Sequence, residues 1–121
     1  MPTDKKISGD QAENAACDYL QSQGLTLIER NFLCKRGEID LIMRQADTTV
    51  FVEVRYRRSS QFGSAAESVD WRKQEKLLAT AEHYLQSHPK AAKNACRFDV
   101  VALTTQNQQH KIDWIVDAFQ A

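Results

Sequence analysis

Two apolar runs, Glu38-Ile-Asp-Leu-Ile-Met-Arg and Val50-Phe-Val-Glu-Val-Arg, are joined through the short polar connection Gln45-Ala-Asp-Thr48. Runs of this composition with so short a link read as an antiparallel hairpin. A turn centred between Ala46 and Asp47 sets Ile39 against Val54, Leu41 against Val52 and Met43 against Val50, which makes one wholly apolar face. A slip of one residue would put Asp40 against a valine and destroy that face, so the burial pattern specifies the register.

The other face of the same hairpin then carries Asp40 opposite Glu53, with Glu38 opposite Arg55 and Ile42 opposite Phe51. Like charges directly opposed, their Cβ atoms about 5 Å apart, destabilise a sheet unless something neutralises them. A divalent cation is one answer, because Mg²⁺ favours one or two carboxylates, several waters and the oxygens of a phosphate substrate. Arg55 and Arg57 are the other, since mixed charge on a strand face can be an ordinary solvated surface. Glu13 taken alone reads as a solvated helix residue. Asp99, within Arg97-Phe-Asp-Val-Val, reads either as a strand-end charge or as a residue near the site, with structure the favoured reading.

Around this hairpin the remaining elements follow from periodicity. Ala12, Ala15, Ala16, Tyr19 and Leu20 recur at helical spacing, with an N-cap offered by Gly9-Asp10 and a stop at Gly24. Strands are expected over 25–33, 38–44 and 49–57, followed by a long polar loop over 58–68. Leu77, Leu78, Ala81, Tyr84 and Leu85 mark a second amphipathic helix over 69–87, stopped by Pro89. A strand over 96–103 and an edge strand over 111–116 complete the order αβββαβ(β). A strand, a crossover helix and a strand imply a parallel, right-handed connection, so the expected class is α/β with a central mixed sheet flanked by helices.

Composition excludes several function classes. The chain of 121 residues balances 16 Lys plus Arg against 16 Asp plus Glu, so it is no polycation, and any nucleic-acid surface has to be a local patch. With 42% hydrophobic residues it reads as one globular domain, 1–121, with residues 1–8 expected to be flexible. No run approaches the ~18 apolar residues of a membrane span. The start, Met-Pro-Thr-Asp-Lys-Lys, has no apolar h-region, so secretion is not expected and the cytoplasm is the expected compartment. Cys17, Cys34 and Cys96 form no C-x-x-C pair and read as reduced, mostly buried thiols. His83 and His88 are five residues apart and do not share a helical face as two ligands four apart would; no glycine-rich phosphate cradle is present.

A second signal is basic. Between Val54 and Lys76 lie Arg55, Arg57, Arg58, Arg72, Lys73 and Lys76 against Glu67, Asp70 and Glu75, a local net of +3, with Tyr56, Phe62 and Trp71 interspersed. Such a stretch suits a phosphate-tracking patch, with Arg57, Arg58, Arg72 and Lys73 as candidate nucleic-acid contacts. A solvated helix face is the alternative. Trp71 is expected to pack into the core at the helix start, although an indole left exposed would be able to stack on a base.

Taken together, Gly37-Glu-Ile-Asp-Leu-Ile, Val50-Phe-Val-Glu-Val-Arg-Tyr-Arg, the helix bearing Lys73 and Arg97-Phe-Asp-Val-Val resemble the YraN family of bacterial proteins over nearly the whole chain. That family is similar to archaeal Holliday junction resolvases and groups with the restriction-endonuclease-like, PD-(D/E)XK nuclease fold, whose core order is αβββαβ. The resemblance implies a Mg²⁺- or Mn²⁺-dependent endonuclease acting on branched or structured DNA. It implies Asp40 and Glu53 as metal ligands, Arg55 at the motif lysine and Glu13 as the first-helix glutamate, all four in the catalytic site. By the same analogy, cutting paired strands would take two sites and hence a homodimer.

Arg55 departs from the family pattern. Arginine stays protonated and cannot act as a general base, whereas a lysine can be tuned to do so. If the position serves electrostatically, Arg55 can contact a phosphate in bidentate fashion and activity survives; Lys73 is a candidate for a relocated amine. The alternatives are a catalytically inactive nucleic-acid-binding module on a nuclease fold, and a protein-interaction scaffold with neither activity.

Overall fold

The structure is a computed structural model that describes residues 8–57, 68–107 and 109–120. Helix α1 (Gly9–Ser22) opens on a capping box: the Ser8 hydroxyl accepts from the Gln11 amide at 3.1 Å, and Gln11 Oε1 accepts from the Ser8 amide at 2.8 Å. The cap is therefore Ser8 and not Gly9-Asp10, because a hydroxyl three residues before a glutamine satisfies two orphan amides at once. The chain leaves α1 through Gly24, whose φ of +97° lies where glycine is favoured.

Strands β1 (Thr26–Cys34), β2 (Gly37–Gln45) and β3 (Thr48–Arg57) follow as an antiparallel meander. Helix α2 (Trp71–Gln86) starts at Asp70, whose Oδ1 accepts from the Lys73 amide at 2.9 Å. It ends before Pro89, which opens a one-turn helix α3 (Pro89–Ala92) at the first helical position, where a missing N–H costs nothing. Strand β4 (Cys96–Gln106) lies parallel to β3, and β5 (Gln109–Phe119) returns antiparallel as the far edge. The sheet order is β1-β2-β3-β4-β5, a five-stranded mixed sheet with helices on its faces, as the α/β reading expected. Strand β5 is longer than expected. The expected loop over 58–68, Arg58 included, and the expected flexible start over 1–8 fall almost wholly outside the described residues.

Each face of the sheet buries its own cluster. Ala12, Ala16, Cys17 and Leu20 of α1 pack on Leu41, Met43, Val50 and Val52, with Val101 and Leu103 from β4. On the other face Leu77, Ala81 and Tyr84 of α2 pack on Ile42, Phe51, Phe98, Val100 and Ala102. Alternate residues of β3 and β4 thus serve opposite helices, and each fully buried Leu, Val or Phe contributes about 1.5–3 kcal/mol. Of the thiols, only Cys17 is buried; Cys34 is half-buried and Cys96 exposed at the start of β4, so the expectation of mostly buried cysteines is corrected.

The hairpin register holds where it was best determined: Leu41 pairs with Val52, Ile42 with Phe51 and Met43 with Val50. It ends there. The expected pairs Ile39 with Val54, Asp40 with Glu53 and Glu38 with Arg55 lie beyond the last rung, and Ile39 packs in the α2 cluster instead of beside Leu41. The cause is visible in β1, where Asn31 takes a φ of +53° and the chain changes face. Arg30 reaches towards α1, whereas Phe32 packs edge-on to Tyr84 of α2 at 5.2 Å between ring centroids. Strand β2 follows its partner through the Phe32–Ile39 pair, so β2 and β3 part beyond Leu41 and Val52.

Candidate functional site

The opening of the hairpin leaves the Val54 amide without a main-chain partner on β2, and Asp40 supplies one: its Oδ2 accepts from Val54 N at 2.8 Å. This contact holds the Asp40 carboxyl against β3, beside Glu53. Glu53 is only 5% exposed. Burial first, then the Glu53 charge and more weakly Glu13, push Asp40 from an ordinary 3.8 up to about 7; the Val54 amide opposes the rise, and a hydrogen bond with the Glu53 side chain adds to it. Near neutral pH Asp40 is therefore poised between its protonated and charged forms, because its charge would sit beside that of Glu53.

Cations complete the cluster. Arg55 Nε lies 3.2 Å from Glu53 Oε2, as an ion pair whose N–H is not aimed at the oxygen. Lys73 Nζ lies 3.8 Å from the same oxygen, delivered by the first turn of α2. Lys73 therefore belongs to the carboxylate site more than to a separate basic patch. Glu13 stands on α1 with both oxygens taken by Asn31 Nδ2, at 3.0 and 3.2 Å, and with Arg30 Nη2 at 3.4 Å. It contributes charge next to Asp40, and its own lone pairs are largely committed.

Asp40, Glu53, Arg55 and Glu13, named from the sequence, thus come together, although through a parting of strands and not across ladder rungs. Among the described residues no group of three or more His, Cys, Asp or Glu side chains could hold a metal. A divalent cation here would rest on Asp40 and Glu53, with water and phosphate oxygens completing its shell, which is a donor set that Mg²⁺ and Mn²⁺ accept. The raised Asp40 pKa is a mark of fit, since a cation between the two carboxylates would remove the repulsion that contributes to it.

Of the other candidates, Arg57 is half-buried on β3, Arg72 lies on α2 with its guanidinium over the Trp71 ring at 5.4 Å, and Arg58 is outside the described residues. Trp71 corrects an expectation: it is 62% exposed and not core, because its position on the helix turns it away from the Leu77, Ala81 and Tyr84 stripe that packs on the sheet. Asp99 is fully buried and structural, held by Arg97 at 2.9 and 3.2 Å, by Trp114 Nε1 at 2.9 Å and by the Asp117 amide at 2.9 Å. Asn31 and the Val54 amide were not foreseen. The signal for Asn31 is its residue type, since Asn is enriched among the non-glycine residues that take a positive φ.

A cavity of about 740 Å³ lies elsewhere, between the β2–β3 turn and the end of α2, lined by Ile28, Arg44, Tyr84, His88 and Lys90 among others and by none of the clustered carboxylates. Among the described residues no helix is long and apolar enough to cross a membrane.

Comparison with known proteins places the chain. Uncharacterised protein family UPF0102 matches residues 12–103. A UPF0102 protein of Stutzerimonas stutzeri is 50% identical over 119 residues, spanning 98% of this chain and 99% of its own length. Another, of Nitrosococcus oceani, is 48% identical over 119 residues, 98% and 96% of the two chains. Among solved structures, Pyrococcus furiosus SfsA in complex with Ca²⁺ is similar at a TM-score of 0.39 and 13% identity, over 88% of this chain and 60% of that one, a likeness too low to bear on function. The YraN resemblance read from the motifs is borne out at the level of family: the chain belongs to UPF0102.

Proposed function

We propose that the chain is a metal-dependent endonuclease that hydrolyses a phosphodiester in branched or structured DNA. The observation that carries this reading is the contact of two carboxyls, Asp40 and Glu53, at the point where β2 and β3 part, with Asp40 held protonated up to about pH 7. Mg²⁺ or Mn²⁺ bound by this pair would supply an acidified water and charge neutralisation at the leaving oxygen.

The chain's own residues supply positioning and charge. Asp40 is fixed by Val54, and Glu53 is fixed by Arg55 and Lys73. Arg55 carries a fork of donors that matches two phosphate oxygens and stays charged throughout the reaction. Lys73 brings to the site an ammonium that can give up a proton, the property that Arg55 lacks. Arg57 and Arg72 extend the positive surface along the phosphate chain. Two copies of the chain would be needed to cut paired strands, and cytoplasmic DNA is the expected partner.

The test is cleavage of a four-way junction and of a linear duplex with Mg²⁺ or Mn²⁺. Wild type should cut, and Asp40→Asn and Glu53→Gln should not, with the fold retained. Undiminished cutting by either variant removes the assignment.

A second reading has one specific observation behind it. Two cations already lie on Glu53, so the protein partly neutralises the pair by itself, and a binding module without hydrolysis would be content with that arrangement. It gives salt-sensitive DNA binding with no cleavage, and Arg55→Lys as the variant that could restore cutting.

A further inference from the structure

Helix α2 begins with Trp71, Arg72 and Lys73, and these three residues face different neighbours. Lys73 turns to the sheet and meets Glu53 at 3.8 Å. Trp71, two positions earlier, points about 200° away around the axis, since successive residues turn by ~100°. Its indole is 62% exposed with the Arg72 guanidinium 5.4 Å from the ring centroid. An exposed indole of this size is costly to leave in water, and most of it remains open even with one face visited by Arg72. The Asp70 carboxylate caps the helix N-terminus through the Lys73 amide, and no further acidic residue lies in the first turn, so the basic groups open to a phosphate chain there are the Arg72 and Lys73 side chains.

We propose that Trp71 is a stacking platform for an unpaired nucleobase of the DNA substrate, so that the site favours DNA with an unstacked or single-stranded nucleotide close to the scissile phosphate over continuous duplex. This rests on the reading of the carboxylate site as a nuclease centre, and it adds a residue that selects the substrate. The scale is consistent. The indole and the Lys73 amine lie on opposite sides of a helix about 10–12 Å across, which is about three nucleotides at the ~3.4 Å rise of one DNA strand. A base inside an intact duplex has both faces occupied by its neighbours and cannot reach the indole, whereas any unpaired base offers a π-face irrespective of sequence. Arg72, already over the ring, is placed to hold the adjacent phosphate or the second face of the same base.

The experiment measures binding and not cutting. Full-length protein carrying Asp40→Asn, so that the probe survives, is titrated by fluorescence anisotropy against a labelled single strand, a duplex with a short single-stranded gap and the fully paired duplex. Adding Trp71→Ala should weaken binding to the first two by about 5-fold or more and to the duplex by less than about 2-fold; Trp71→Phe, which keeps a ring, should recover most of the loss. Equal losses on all three probes, no loss on any, or no binding of unpaired DNA by the parent would each overturn the platform. Selective binding in this assay, together with no cutting by the wild type in Mg²⁺ or Mn²⁺, would sink the nuclease reading and leave the platform standing, whereas metal-dependent cutting by the wild type with no selective loss from Trp71→Ala would do the reverse.

Discussion

Asp40 Oδ2 accepts a hydrogen bond from the Val54 amide at 2.8 Å, just beyond the Leu41–Val52 rung that ends the β2–β3 ladder, so a side chain takes over where the main chain lets go. The same contact brings Asp40 against the buried Glu53. Burial and the Glu53 charge then raise the Asp40 pKa, while the Val54 amide works against the rise.

The raised pKa gives stability a pH dependence of definite sign. Folded Asp40 keeps its proton up to about pH 7, while in the unfolded chain it would lose it near 3.8. The folded state therefore binds more protons between those values, and its stability is highest below the lower one and falls as pH rises through the higher. Asparagine keeps the acceptor for Val54 and carries no charge. In metal-free buffer Asp40→Asn should be more stable than wild type above neutrality, by up to about 4 kcal/mol, with the gap closing towards about pH 4. Urea midpoints at about pH 4 and about pH 8 measure it, and a gap that does not change with pH would contradict the assignment.

Lys73 and Arg55 share Glu53 Oε2 but differ in what they can do with a proton. Lys73→Met should lower the rate of metal-dependent cleavage by about 100-fold or more, whereas Arg55→Lys should preserve it or raise it. Single-turnover rates on a junction substrate distinguish the two, and wild-type cutting by Lys73→Met would show that no amine is needed.

Glu13 is committed to Asn31 and Arg30 and acts on Asp40 through its charge. Glu13→Gln keeps most of those contacts and removes the charge, so it should move the pH dependence of cleavage to lower pH by lowering the Asp40 pKa. A pH–rate profile that does not move would show that Glu13 only holds β1 in place.

Asp99 predicts a purely structural defect. It is fully buried and bonded to Arg97, Trp114 and the Asp117 amide. Asp99→Ala strands those donors and an arginine, a change that costs about 3–5 kcal/mol where a buried ion pair is broken. Denaturant unfolding reads it, and a loss below about 1 kcal/mol would contradict the burial argument.

How much of this was legible in the sequence depends on what each residue's signal was. The register of Leu41, Met43, Val50 and Val52 could be read because a slip would have exposed the whole apolar face. Ile39 could not, since its change of face originates in the backbone of Asn31 on a different strand. Asp40 and Glu53 were found as opposed charges, yet their meeting depends on strands that part, which no alternation pattern records. Glu13 came only through family resemblance, because one helical glutamate has no spacing to distinguish it. Trp71 is expected in the core at the helix start, and the structure places it in solvent because helical spacing turns it off the Leu77, Ala81 and Tyr84 stripe.

The central claim is that Asp40 and Glu53 are a metal site for phosphodiester chemistry. Calorimetric titration of Mn²⁺ and Mg²⁺ into wild type and Asp40→Asn, each with and without a four-way junction, tests it most directly. Binding that DNA strengthens and that Asp40→Asn removes is the predicted result. If no metal binds with DNA present while DNA alone still does, the carboxylates are not a metal centre and the nuclease account is contradicted.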